Sequence, residues 1–345
     1  MPDTIPPFPT IDLLDDAAMT AARDRWATRA KPPGSLGRLE DLAVHLAGIT
    51  GTCPPPTIQR PAIVVFAGDH GVVSDGASAW PSQITALMVQ TMSQGGAAIN
   101  AFAAVTGAEV HIVDVGVNGD LSHLQGVHHH KVRPGTDSVA RGPAMSRGEA
   151  GSAVYVGRTI GRALIAAGVD CLVGGDMGIG NTTPSAALIG ALTGTPANLV
   201  TGAGAGLPAE RLPLKQTLIA SAIERAKQHH DPLDLLAEIG GLEIAALAGL
   251  YIAAAAQKTP VILDGVIAGA AACVAEALAP GTAARSIAGH RSSEPAAAIA
   301  LDHLGLEPLL DLDLRLGEGT GACLAIPLLN AAIAALTHMA DLPNQ

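Results

Sequence analysis

The sequence predicts an α/β protein built on a parallel β-sheet covered by helices on both faces. Three observations carry this. Short β-branched runs recur from Ala62 onward and each ends in Gly and Asp, helical periodicity fills the spaces between them, and both chain ends read as helix. Strands that alternate with helices form βαβ units, whose crossovers cover a parallel sheet on both sides.

Taken in order, the Pro-rich start "MPDTIPPFPTIDLLDD" is followed by an amphipathic helix from Asp16 to Ala30. "KPPGSLGRLEDLAVHLAG" then reads as a turn and a second helix opened by Ser35. A cluster at Pro54 to Pro56 separates this beginning from the strands. Four strand ends follow, "AIVVFAGDHG", "AEVHIVDVGV", "DCLVGGDMGIG" and "PVILDGVIAG". Helices are expected between them at Gln83 to Ala104, Arg147 to Ala167, Pro208 to His230 and Leu242 to Ala256. Ala322 to Met339 is again helical, with Pro327 expected to kink it or mark an early turn. Helices from the two ends are expected to pack as a small domain (1–60 and 319–345) beside a large α/β domain (61–318).

Composition narrows the function. Of 345 residues 48% are hydrophobic and only 2% aromatic, so Ala, Leu, Val and Ile must build the core, with 40 glycines permitting close approach of helices and strands. A net charge of -11 argues against nucleic acid and against anionic membrane surfaces. Any phosphate must therefore be met locally, by glycine loops, helix N-termini and a few placed cations. Cys53, Cys171, Cys273 and Cys323 are far apart in sequence, with no CxxC pair, which fits four buried thiols in a reducing cytoplasm. The acidic N-terminus has no basic region followed by an apolar one, so no signal peptide is expected. The apolar run Ile244 to Ala256 falls short of the roughly 18 residues that cross a bilayer and reads as a buried helix.

Ligands of open parallel sheets sit beyond the carboxyl ends of the strands, so the glycine-rich strand ends are the place to look for chemistry. "GGDMGIGNTTPSAALIGALTG" delivers Gly174, Gly175, Asp176, Gly178 and Gly180 from a strand, then Asn181, Thr182 and Thr183 at the start of a helix running to Leu192. Backbone N–H groups, hydroxyls and the positive helix end make an anion cradle there, while an ordinary N-cap and tight turn explains the local sequence equally well. The loop is not a Walker A motif, and Thr183 stands where GxGxxG requires its third glycine, which argues against a dehydrogenase. "TGAGAGLP" with Lys215 about two turns into the next helix, "LDGVIAG" with Asp264, Gly265 and Gly269, and "AGHRSSEP" with Arg291, Ser292 and Ser293 add three more such junctions. Four at one sheet edge point to a phosphorylated ligand.

Asp69 and His70 end the first strand, where they suit ribose binding, catalysis or a metal; equally, Asp69 only holds the turn. His128 to His130 read as a surface loop in preference to a metal tract. Glu318, in "LRLGEGTGACLA", is a lone acid among apolar and small residues. It reads either as a helix-start residue stabilised by the dipole, by about 0.3 to 1 kcal/mol, or as a buried carboxylate whose raised pKa makes it a proton acceptor.

Together, "KPPGSLGRLEDLA", "FAGDHGV", "GDMGIGNTTPSAAL", "LDGVIAGAAA", "GHRSSEP" and "LRLGEGTGA" resemble, in order and spacing, the nicotinate-nucleotide:dimethylbenzimidazole phosphoribosyltransferases, from about Lys31 to the C-terminal helix. The resemblance implies a Rossmann-like parallel sheet with a small helical domain, a cytoplasmic homodimer, and transfer of 5-phosphoribose from nicotinate mononucleotide to 5,6-dimethylbenzimidazole in cobalamin assembly. It implies no cofactor and no metal, Glu318 as general base, and Asp176, Gly178, Gly180, Asn181 and Thr182 around nicotinate and the ribose phosphate. Gly204, Lys215, Asp264, Gly265, Ser292 and Ser293 would complete the phosphate and ribose contacts. Ser78, Trp80, Leu87 and Leu316 would line the benzimidazole pocket. Two positions depart from the family pattern: Asp176 stands where many relatives carry Glu, and Leu87 near a family Gln, which bears on acceptor choice. A related transferase or hydrolase using adenine, a phenol or water, and a non-catalytic nucleotide-binding protein, are the competing readings. The base in its motif speaks against the latter.

Overall fold

The computed structural model describes residues 7–342. Residues 1–6 of the Pro-rich start and residues 343–345 of the expected terminal domain lie outside the described residues. One parallel sheet holds β1 (Pro61–Gly68), β2 (Glu109–Gly116), β3 (Val127–His129), β4 (Cys171–Met177), β5 (Val261–Leu263) and β6 (Ser286–Ala288), in the order β3-β2-β1-β4-β5-β6. A second parallel pair joins β7 (His290–Arg291) to β8 (Leu310–Asp311). The strand order runs outward in opposite directions from β1 and β4, and a ligand crevice opens at such a reversal.

All eight residues of β1 are buried, and its alternation sorts them between two cores. Val64 and Phe66 face α5 (Arg147–Ala166), α6 (Thr182–Thr193), α8 (Leu212–Ala226), α9 (Pro232–Ile239), α10 (Leu242–Ala256), α11 (Val266–Leu278) and α12 (Pro295–Leu304); a short α7 (Ala197–Val200) follows α6. Ile63, Val65 and Ala67 face α1 (Asp16–Thr28), α2 (Arg38–Thr50), α3 (Gln83–Ser93), α4 (Ala98–Thr106) and α13 (Thr320–His338). Both faces are thus apolar, as expected of a strand covered twice. Small residues set the spacing: a Cβ on Gly157 of α5 would lie 1.8 Å from the Ala246 carbonyl oxygen of α10, so these helices meet backbone to backbone.

The four strand ends read from sequence are β1, β2, β4 and β5; β3 and β6 are as short as β5 but lack the run ending in Asp and Gly that marks it. His128 and His129 lie in edge strand β3 and not in a loop, with the His128 ring 5.6 Å from that of His111. The helix expected over Gln83 to Ala104 is two, because Gln94, Gly95 and Gly96 interrupt it and Gly95 takes φ +78°. Ser35 caps nothing. Its N–H donates to the Pro32 carbonyl, and Glu40 reaches back to accept from Leu36 N–H at 3.0 Å and Lys31 Nζ at 2.6 Å. The sequence from Pro208 enters α8 through a short 3-10 turn, which leaves Lys215 in the first turn of that helix. Pro327 lies inside α13, which continues through it to His338. By length and apolarity α13 suffices to cross a membrane, but it packs against α2 and α4 as a core helix. Of the four free cysteines three are buried; Cys53 is only half-buried, contrary to expectation.

Candidate active site

Glu318 stands in an arch of three successive left-handed residues, Gly317 (φ 85°), Glu318 (φ 63°) and Gly319 (φ 87°), just before α13. For a residue with a Cβ this conformation costs about 1 to 2 kcal/mol, so its surroundings must impose it. Glu318 N–H donates to the Asp176 carbonyl oxygen (3.2 Å), and Thr320 N–H returns to the Gly317 carbonyl oxygen (3.0 Å). The Glu318 carbonyl packs on Gly175 of β4, where a Cβ would sit 2.5 Å from its oxygen. The arch is therefore seated on β4, at Gly175 and Asp176 near its carboxyl end.

The Glu318 side chain is 4% exposed, and its Oε2 accepts from Ile99 N–H at 3.1 Å. That donor belongs to the first turn of α4, not to α13. The carboxylate thus meets the N-terminus of a helix other than the one it precedes, and it is buried there. Burial pushes its carboxyl above the usual carboxylate value against the pull of the Ile99 N–H, and the Asp264 charge raises it further. Asp176 behaves alike. Burial, then the nearby Asp264, drive it well above its usual value, while Asn181 Nδ2, donating to its Oδ2 at 2.9 Å, opposes them.

Elsewhere in the cleft, the first residue of α6 and the residues just before α11 and α12 bring Thr182, Gly265, Ser292 and Glu294 together. Lys215, 1% exposed, reaches in from α8 and donates to Thr182 Oγ1 and to the Gly202 carbonyl oxygen, both at 2.8 Å. Burial lowers its ammonium to about 8, although Glu294 pulls the other way. Gly204 N–H donates to Glu294 Oε1 at 2.8 Å. Converging helix starts, a hydroxyl and a buried amine form an anion cradle.

Asp176, Gly180, Asn181, Thr182, Gly204, Gly265, Ser292 and Leu316 line this single cleft. Lys215 stands behind Thr182, and Gly178 beneath, where the Gly68 carbonyl oxygen and the His70 imidazole fill the space of a side chain. Asp264 is absent from the lining and faces α13, its Oδ1 accepting from Ala322 N–H at 2.9 Å. Ser293 is exposed and bonds through its N–H to the Leu314 carbonyl. Ser78 and Trp80 lie at the edge of the cleft, Ser78 Oγ accepting from Trp80 N–H and Trp80 Nε1 donating to the Ala205 carbonyl oxygen of the cleft (3.1 Å), whereas Leu87 is an exposed residue of α3 outside the lining.

Sequence reasoning passed over Glu294, His290 and Arg315, which also line the cleft. For Glu294 the signal was present, an acid directly before a proline that starts a helix. Arg291, picked out in their place, is exposed and lies 3.3 Å from Asp311. Asp69 ties the end of β1 to the loop after β2, accepting from Asn118 N–H at 2.8 Å, and His70 is buried 2.6 Å from Glu243.

A family model described as phosphoribosyltransferase matches residues 11–344. The nicotinate-nucleotide:dimethylbenzimidazole phosphoribosyltransferase of Desulforudis audaxviator is 48% identical over 95% of this chain and 93% of its own length. That of Mycobacterium marinum is 47% identical over 96% and 93%. The crystal structure of the protein so named from Thermus thermophilus matches with a TM-score of 0.91 at 46% identity, covering 95% of this chain and 97% of that one.

Proposed function

The chain belongs to the nicotinate-nucleotide:dimethylbenzimidazole phosphoribosyltransferase family, and from that membership we propose that it transfers 5-phosphoribose from nicotinate mononucleotide to 5,6-dimethylbenzimidazole with Glu318 as general base. The products are α-ribazole 5'-phosphate and nicotinate, the former for the lower loop of cobalamin. The observation that carries the assignment of the base is the buried Glu318 carboxylate, its pKa raised, held on an arch whose Leu316 and Gly317 line the cleft.

One base suffices for this chemistry. Nicotinate leaves from a pyridinium, so breaking the C1'–N bond returns the electron pair to nitrogen and neutralises the ring without a general acid. One benzimidazole nitrogen attacks C1' from the opposite face, which turns a β-nucleotide into an α-product, and the other nitrogen loses its proton to Glu318. Thr182, Gly204, Gly265, Ser292 and the charged Lys215 take the 5'-phosphate, and Asp176 with Asn181 borders nicotinate and ribose. Anchoring the phosphate at one end fixes C1' relative to the arch, and such alignment supplies much of the acceleration. Ser78, Trp80, Leu87 and Leu316 border the acceptor.

The same proposal takes the protein as a cytoplasmic homodimer. It takes residues 1–60 and 319–345 as a small helical domain, supported by the packing of α13 on α2 and of α1 on α2. The test is a product assay with nicotinate mononucleotide and a panel of acceptors comprising benzimidazoles, adenine, phenols and water. α-Ribazole 5'-phosphate is the expected product, and its absence while another acceptor is consumed would overturn the acceptor assignment.

A further inference from the structure

Behind the arch lies a carboxylate that does not line the cleft. Asp264, at the end of β5, is 3% exposed, and its Oδ1 accepts from Ala322 N–H in the first turn of α13. His290 Nε2 stands 3.3 Å from the same oxygen, and the imidazole lies flat on Gly321, where a Cβ would come within 2.0 Å of the ring. The second oxygen, Oδ2, is buried and has no hydrogen-bond partner among the described residues. A buried carboxylate is ordinarily paired with a cation or fully hydrogen-bonded. This one keeps half of its acceptor capacity unused, next to two other buried acids.

We propose, on the phosphoribosyl-transfer reading above, that Asp264 is a positioning residue acting through Glu318: it pins the first turn of α13, and with it the Gly317–Gly319 arch, and holds a negative charge beside the base. Ala322 follows Glu318 by four residues and lies in the first turn of α13, so an anchor on its N–H fixes where the arch enters that helix. Facing the region are Asp176 from β4, Tyr251 from α10, His290 from β7 and Cys323 from α13, with the Ile99 N–H of α4 on the carboxylate itself. Asp264 is the acid whose field is felt at Glu318, and it raises the affinity of Glu318 for a proton. A base strengthened in this way accepts the benzimidazole proton more readily.

The test is Asp264→Asn in the full-length protein, which keeps an oxygen for Ala322 N–H and removes the charge; Asp264→Ser does the same should the Asn variant not fold, and Asp264→Glu restores the charge. Rates are measured against pH with nicotinate mononucleotide and dimethylbenzimidazole. The acidic limb of kcat/KM is expected to move to lower pH in the neutral variants and to return toward wild type in the Glu variant. Alongside it, kcat should fall at least tenfold while KM for nicotinate mononucleotide stays within about threefold. A limb that does not move, or a KM that rises in step with the loss of activity, would overturn the inference and make Asp264 a fold element or a substrate ligand. If the wild-type protein forms no α-ribazole 5'-phosphate, the functional reading fails first, a result visible before any variant is made.

Discussion

The two ends of the cleft are built from opposite charges under the same pressure. At the arch, burial drives the carboxyls of Glu318 and Asp176 toward their protonated forms. At the cradle, burial drives Lys215 toward its neutral form, to about 8. Desolvation disfavours charge of either sign. The ends differ in what answers it: the carboxylates crowd one another, whereas Lys215 has a hydroxyl, a carbonyl and the Glu294 charge in reach. On the proposed reading the arch would accept a proton, and the cradle would be fixed in its charged state by a phosphate.

Removing the base tests this contrast hardest. Glu318→Gln keeps the acceptor for Ile99 N–H and loses the proton acceptor, so kcat should fall by about 10² to 10⁴-fold while calorimetric binding of nicotinate mononucleotide is preserved. A kcat near wild type would mean that the two ends are not divided into chemistry and binding.

Lys215→Ala should instead act on binding. It lowers kcat/KM for nicotinate mononucleotide by about 10- to 100-fold, the worth of a charged hydrogen bond to phosphate. Because Lys215 loses its proton near 8, kcat/KM of the wild type should decline as pH rises through that value. Lys215→Arg, charged at every working pH, should abolish that alkaline limb even if it binds less well.

Gly175→Ala probes the seat of the arch. Its Cβ would meet the Glu318 carbonyl oxygen at 2.5 Å, and overpacking of this kind costs about 1 to 3 kcal/mol. The loss of kcat should exceed what the fall in Tm explains, because the displaced group carries the base; a Tm loss with normal kcat would show that the arch finds its geometry without β4.

Asp176→Asn gives the smallest effect and the one of opposite sign. With its folded pKa raised above the ordinary 3.8, Asp176 weakens the fold once the unfolded chain ionises, that is, as pH rises above about 4. The variant should melt a few degrees higher than wild type at pH 7 and equally at pH 3, while losing activity. An unchanged or lower Tm at pH 7 would mean that the arch end carries no desolvation strain.

The parallel sheet was legible because its strands end in Gly and Asp and the helices between them are long and periodic. β3 and β6 were not, because they are as short as β5 without the Asp and Gly that close it, and the break at Gln94 to Gly96 was hidden inside an otherwise helical pattern. Loop residues of the cleft were readable wherever glycine and hydroxyl residues clustered before a helix, as at Gly180 to Thr182. Roles that depend on orientation were not: Arg291 and Arg315 are equally plausible as letters, and only the chain path turns one outward and the other to the cleft. Glu318 illustrates both limits, since its isolation marked it while the helix it meets lies 219 residues away in sequence.

The exposed apolar side chains proposed to border the acceptor have an evolutionary consequence. Trp80, Leu87 and Leu316 are 52%, 54% and 59% exposed, and substitutions at such positions usually change stability by no more than about 0.5 kcal/mol. On the proposed reading a lineage can trial new acceptors at these positions without endangering the fold, whereas a change within Gly317–Gly319 disturbs the proposed base and the core together. Divergence of acceptor preference among relatives is then expected at these exposed positions, with the arch inherited intact.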